Sequence, residues 1–140
     1  MASAEFRNIE EWKRRLRANS LLGPPLRGAL SRTAEYAKGQ AQERTPVDTG
    51  RARNSYATEV DHAPIPRWAK IGSNLEYMPP LEFGSRPHWP PIAALQPWAR
   101  RHGIASAFLI ARAIARRGTP AHHMLEDGIN ASRGFFDRQL

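Results

Sequence analysis

Six of the 12 prolines fall within one stretch of the chain: Pro79, Pro80, Pro87, Pro90, Pro91 and Pro97. Proline has no amide hydrogen to give to a ladder, and it pushes the residue before it out of the helical region. The middle of the chain is therefore expected to be ordered loop and short helix, with no central strand. Regular structure has to form on either side of this block. With 140 residues there is room for one core and hardly for two.

Ser3 can cap a first helix running to about Asn19, with Phe6, Ile9, Trp12 and Leu16 on one face. The Leu21-Leu22-Gly23-Pro24-Pro25 stretch is expected to end it. A second helix then starts at about Pro25, where a missing N–H costs least, and runs to Arg44. Leu26, Ala29, Leu30, Thr33, Ala34, Ala37 and Ala41 line one side of it, and their small size predicts close packing on a sheet or a helix. Helical pattern stops at Thr45–Gly50. Asp48 can bond its own backbone two residues on and Gly50 can take positive φ, so a tight turn is expected. Asn54 to Val60 reads as a strand with Tyr56, Thr58 and Val60 on one face. Arg67–Gly72 and Glu76–Phe83 are weaker strand candidates, and together the three suggest an antiparallel meander.

After Pro91, Ile92, Leu95, Trp98 and Ala99 share a helical face up to Gly103. From Ala105 to Arg117 the pattern is strongly amphipathic, with Ala107, Phe108, Ile110, Ala111, Ile114 and Ala115 as its apolar stripe. A last helix over about Ala121–Arg138 carries Met124, Leu125 and Ile129. The expected fold is α+β, a small antiparallel sheet packed by helices. No internal repeat and no low-complexity segment is present.

Composition narrows the function. There is no cysteine, which excludes disulfide scaffolds, thiolate zinc sites and cysteine nucleophiles. Mean hydropathy is −0.59, and no run approaches the roughly 20 apolar residues of a membrane span. The start of the chain reaches charge at once, without the apolar run of a secretory signal. The net charge is +8, arginine supplying 18 of the 21 basic residues. Residues 86–120 hold six arginines and no acid, so most of the excess sits in one quarter of the chain. A basic, soluble domain with an anionic partner is expected, either nucleic acid or an acidic protein surface.

No active site assembles from the sequence. Asp48-Thr49-Gly50 is the tripeptide of aspartic proteases, but that chemistry needs two copies on buried loops sharing a proton. Here Pro46 precedes it and Arg51 and Arg53 follow, and nearby cations oppose the raised pKa one member requires. A turn is the better reading. The adjacent His122 and His123 point about 100° apart on a helix, and His62, His88 and His102 stand alone, so no metal spacing occurs. Glu76 and Glu82 are read as lone surface carboxylates, and Gly-rich phosphate loops are absent. No cofactor is expected. Arg100, Arg101, Arg112, Arg116 and Arg117 are the candidate interface: they can neutralise phosphates beside Trp89 and Trp98, meet an acidic protein, or form a solvated helix face over two core tryptophans.

Two segments resemble a known family. Thr45-Pro46-Val47-Asp48-Thr49-Gly50-Arg51-Ala52-Arg53-Asn54-Ser55 resembles the Pro-Val-Asp-Thr-Gly, Arg, Leu, Arg, Asn-Ser segment of the gene-ten-like tail-component family of long-tailed bacteriophages. Tyr77-Met78-Pro79-Pro80-Leu81-Glu82-Phe83-Gly84-Ser85 is similar to that family's Tyr-Ala, two residues, Leu/Val-Glu-Phe-Gly-Thr. The resemblance covers about residues 26–128, with Ala52 where leucine is commoner. It implies a structural turn at Pro46, Asp48, Thr49 and Gly50. It also implies a strand ending in Tyr77, Leu81, Glu82, Phe83 and Gly84. From its length the chain is expected to be one domain over 1–140, with residues 1–22 an N-terminal helical extension outside the resemblance, and the resemblance implies that 86–118 is a Pro-rich, basic helical insertion.

The function implied is that of a non-enzymatic virion protein of the phage neck, assembled in the host cytoplasm. It would form a homo-oligomeric ring between the head connector and the tail, completing the tail. Its partners would be other neck proteins and tail tube or terminator proteins, with no membrane. DNA passing through the channel is a further candidate partner for the arginines. A tail-terminator ring and a non-specific nucleic-acid-binding protein are the alternatives.

Overall fold

The computed structural model describes residues 3–139, with side chains described from residue 13 onward except at 16 and 18–20. The cap expected at Ser3 and the face expected at Phe6, Ile9, Trp12 and Leu16 lie outside the described side chains. The described residues form α1 (Ser3–Arg44), α2 (Arg51–Asn54), β1 (Tyr56–Val60), β2 (Ala69–Ser73), α3 (Met78–Phe83), α4 (Ile92–Arg101), α5 (Ala107–Arg117) and α6 (Met124–Asp137). This is an α+β fold, a small antiparallel sheet packed by a long N-terminal helix and by C-terminal helices.

The expected break at Pro24-Pro25 does not occur, and α1 is one helix of 42 residues. An interior proline loses a backbone bond and costs about 3 kcal/mol. Tertiary contacts hold the helix through that point. Gly23 is buried against the Pro64 carbonyl, and the Arg27 guanidinium donates to the carbonyls of Asp61 and of Ala63, the latter at 2.7 Å.

Beyond that anchor α1 is the floor of the molecule. Ala29, Ala34, Ala37 and Ala41 are buried along one side, as their spacing predicts. α6 lies antiparallel on this alanine face. Gly128 meets Ala37 and Ala41, Phe135 stacks flat on Tyr36 at 4.5 Å, and Arg32 donates to Gln139 at 2.7 Å. A Cβ at Gly128 would stand 2.8 Å from the Ala37 carbonyl oxygen and 3.1 Å from the Ala41 Cβ. The two helices can approach this closely only because α6 carries no side chain there.

The sheet packs on α1 beside α6. β1 and β2 pair antiparallel, Tyr56 opposite Ser73 and Val60 opposite Ala69. Tyr56, Thr58 and Val60 turn toward α1, the face their alternation indicates, and Thr58 donates to the Glu35 carboxylate. The opposite face presents Ala57 and Glu59 across from Gly72 and Lys70. Tyr56 joins Ala41, Met78 and Met124 in the core. Thr45 Oγ1 bonds the Ala41 carbonyl and lies within hydrogen-bond distance, 3.0 Å, of the Tyr56 hydroxyl. Burial pushes the Tyr56 phenol above its ordinary value, with Thr45 opposing and the charge of Glu82 adding to the rise.

The third strand of the expected meander is a helix. Met78–Phe83 forms α3, with proline at its start, so the strand expected to end in Tyr77, Leu81, Glu82, Phe83 and Gly84 is corrected. Pro79 and Pro80 cannot donate to a sheet, whereas a helix's first turn has no use for those hydrogens. Between α3 and α6 the chain makes a hairpin of α4 and α5. Its base is an antiparallel bridge in which Ser85 and Thr119 exchange backbone bonds of 3.1 and 3.2 Å. Gly84 and Gly118 flank the bridge at φ 74° and 70°. A Cβ at Gly118 would fall 1.9 Å from the Ser85 carbonyl oxygen, so only glycine closes this neck.

Gly128→Val should drive α1 and α6 apart and cost about 2 kcal/mol, the scale of core overpacking. Gly134→Ala on the same helix meets only the tip of Arg138 at 3.8 Å and should hold or raise stability. Thermal unfolding followed by circular dichroism compares the two.

Candidate functional site

The turn after α1 carries the first group of expected residues. Pro46, Asp48 and Thr49 are exposed and Gly50 sits at φ 79°, opening α2. Asp48 does not bond its own turn as expected. Its carboxylate instead crosses to the end of α4 and takes Arg101 in a two-pronged pair. Arg101 Nε donates to Oδ1 at 2.8 Å and Nη2 to Oδ2, while His102 Nε2 lies 3.2 Å from Oδ1. Two charged, parallel bonds outweigh one neutral bond to the backbone. Arg101 holds the Asp48 carboxyl below its ordinary value, chiefly by hydrogen bonding, and Asp48 in turn raises Arg101. This clasp ties the α4–α5 hairpin to the turn from which α2 and β1 begin.

Arg101 therefore leaves the group of candidate interface arginines. The others stay exposed. Arg86, Arg100, Arg112, Arg116 and Arg117 form no ion pair among the described residues. Arg116 and Arg117 occupy the last turn of α5, where cations favour the helix dipole. Arg112 lies one turn earlier, a neighbour of Arg116 on the surface.

Neither Trp89 nor Trp98 is a core residue. Trp89 is 55% exposed and meets Phe108 edge-on at 5.7 Å, and Trp98 lies over the His102 ring at 4.3 Å. Phe108 was expected in the buried stripe but is exposed, together with Leu109; Ala107 and Ala111 are the buried residues of α5. The outward face of α5 thus mixes Phe108 and Leu109 with Arg112 and Arg116, and Trp89 adjoins it. Aromatic and arginine side chains on one patch are the composition of interface hot spots. On the hairpin's other side an apolar cavity of about 1000 Å³ separates it from the body, with Leu95, Trp98 and Ile114 facing Pro46, Tyr77 and Leu81.

Glu82 overturns its surface reading. It is 3% exposed, and its carboxylate accepts from the backbone N–H of Leu125 at 3.0 and 3.1 Å and of Glu126 at 3.0 Å. The residue before α6, His123, has φ 48° and makes no side-chain cap, so α3 supplies the cap that α6 lacks. Backbone bonds from His122 to the Leu81 carbonyl and from His123 to the Glu82 carbonyl, both 3.1 Å, bind the segments together. Within the family-like segment Glu82 is thus structural, Tyr77 and Phe83 are exposed, and Leu81 is half-buried.

Among the described residues no three His, Asp or Glu side chains gather as a metal site would require, and no helix is long and apolar enough to cross a membrane. Compared with known proteins, the chain matches no family model, no curated protein and no solved structure.

Glu82→Gln keeps the volume but replaces the charged acceptor, and should lower stability by about 2 kcal/mol, a typical value for a hydrogen bond to a charged group. Chemical denaturation measures it. Asp48→Asn should leave global unfolding nearly unchanged, because the pair is exposed, while backbone amides of α4 and α5 exchange faster. Asp48 is depressed in the folded protein, so the clasp is complete above its ordinary value of 3.8 and is lost as pH falls through the lower, folded value. Hydrogen exchange should show the hairpin loosening below about pH 4 in the native protein, and no such step in the Asn variant.

Proposed function

We propose that this chain is a structural subunit of the neck of a long-tailed bacteriophage, forming a ring that joins the head connector to the tail and completes the tail. The observation that carries this reading is the exposed face of α5. Phe108, Leu109, Arg112 and Arg116 stand on a hairpin that is fastened to the body at its base and by one clasp. Such a face is suited to an acidic surface on a neighbouring subunit. The two family-like segments support the reading from a separate direction: Pro46–Gly50 receives the clasp, and Glu82 caps α6. A ring needs one face of a subunit to meet a different face of the next, and a cationic hairpin on a body with a charge-balanced sheet region supplies that asymmetry.

Arg112 and Arg116 beside the half-exposed Trp89 favour one other reading, non-specific binding of nucleic acid. Phosphate neutralisation would then dominate affinity, which would fall steeply with salt.

Replacing Arg112, Arg116 and Arg117 by Glu should leave heads without tails, and the Gln triple variant should reduce virion yield less. Both should unfold within about 1 kcal/mol of the native protein, since the changes are exposed and touch only helix-end electrostatics. Normal virion yield from the Glu variant, or a purified protein that forms no ring in electron micrographs, overturns the proposal. Salt-dependent DNA binding lost in the Glu variant, with rings unaffected, favours the nucleic-acid reading.

A further inference from the structure

The sheet has only two strands, and a two-stranded ribbon is marginal unless something packs on it or pairs with it. β1 is paired with β2, but the far edge of β2 has no backbone partner among the described residues. An open edge is a template for another strand, and proteins that need none usually blunt it with a proline, a bulge or a charged side chain. Ala69–Ser73 contains no proline and no bulge, and Lys70, its one charge, disfavours a basic strand while favouring an acidic one.

What lies beside that edge is a groove of about 750 Å³. β2 forms one wall through Ile71, α6 forms the other through Ile129 and Phe136, and Leu30, Ala34 and Ala37 of α1 form the floor. The floor is shallow because its residues are small, which is the same alanine face that admits α6. An extended strand laid along β2 would put alternate side chains down onto this floor and the others up beside Lys70 and Gly72. The charges lining the groove are Lys70, Arg133 and Asp137, net positive. Lys70 is opposite Glu59 but forms no ion pair with it; its ammonium lies 4.2 Å from the centre of the Trp68 ring. Arg133 is exposed and also without an ion pair among the described residues.

We infer that the β2 edge and this groove form a docking site for an extended segment of a different protein, added as a third strand. Its downward side chains are apolar and its upward ones acidic. Main-chain bonds to β2 would supply affinity and the groove would select the alternate apolar residues, the logic of strand addition. Charge decides against a second copy. Pairing two β2 edges antiparallel brings Lys70 near its own counterpart, whereas an acidic strand meets Lys70 and Arg133 favourably. The site lies on α1, β2 and α6 and does not depend on the hairpin or on the proposed ring.

The test uses the whole protein and three seven-residue peptides with blocked ends. The first is Glu-Val-Glu-Ile-Glu-Val-Glu, the second has the same residues with the four acids in one block, and the third has Lys for each Glu. The alternating acidic peptide is expected to bind at least tenfold more tightly than either control. It should also slow amide exchange at β2 while leaving the hairpin unchanged. Ile129→Glu, at a position 44% exposed, should weaken binding at least fivefold without changing the unfolding temperature. No binding of the acidic peptide, equal binding of any control, or binding that leaves β2 exchange unchanged overturns the inference. So does protection of the β2 edge in the protein alone that grows with its concentration, which would make a second copy the occupant.

Discussion

The placing of α6 on α1 sets the position of nearly every other part of this molecule. Among the described residues, seven of the ten buried hydrophobic ones are alanines. An alanine buries little surface, so this core gains less from area than from how closely backbones approach. Gly128 allows that approach against Ala37 and Ala41. It brings Met124, wholly buried, onto Ala41 and Tyr56, and the larger side chains of the core gather there. A core so thin in bulky groups leans on polar contacts that fit one geometry. Tyr56 bonded to Thr45, Arg27 to the loop after β1, and Glu82 to the start of α6 each join segments distant in sequence.

Much of this was legible in the chain where the signal is periodic. The alanine side of α1, the α1-facing side of β1, and the helices after Pro91 follow from spacing alone. Two misreadings have different causes, a tertiary contact in one and a local signal in the other. Pro24 and Pro25 signal a helix end, yet Arg27 and the Pro64 carbonyl hold the helix through them. Glu76–Phe83 alternates like a strand, and here the contrary signal was present, because Pro79 and Pro80 sit inside it. Proline excludes a strand there for the same reason that it excludes one from the rest of the middle of the chain.

The site was legible in a different measure. Composition located the cationic segment, but the amphipathic pattern placed Phe108 inside, whereas in the fold Ala107 and Ala111 alone are buried on α5. No local spacing could pair Asp48 with Arg101, 53 residues on. Glu82 looked like any acid in an alternating run, since a helix cap given from another element leaves no mark near the helix it serves. The Asp48 clasp and the Glu82 cap both fall in family-like segments, and each gives its residue a structural use.

The hairpin's electrostatics follow from its construction. Residues 86–120 contain no acid, so any neutralisation within the chain has to come from elsewhere, and among the described residues it comes from Asp48 alone. Helix dipoles account for Arg100, Arg116 and Arg117 at their helix ends, but not for Arg86, nor for Arg112 in the middle of α5. Solubility does not require Arg112 to stand one turn from the exposed Phe108, because water solvates arginine equally well on a polar face. Exposed Phe108, Leu109 and Trp89 carry a hydration cost that a partner would relieve, and the unpaired cations around them would favour an acidic one. The clasp then has a consequence beyond the fold. By tying Arg101 to the turn at Asp48 it fixes one end of the hairpin, so the outward face of α5 is presented in one orientation and less ordering remains to be done on binding.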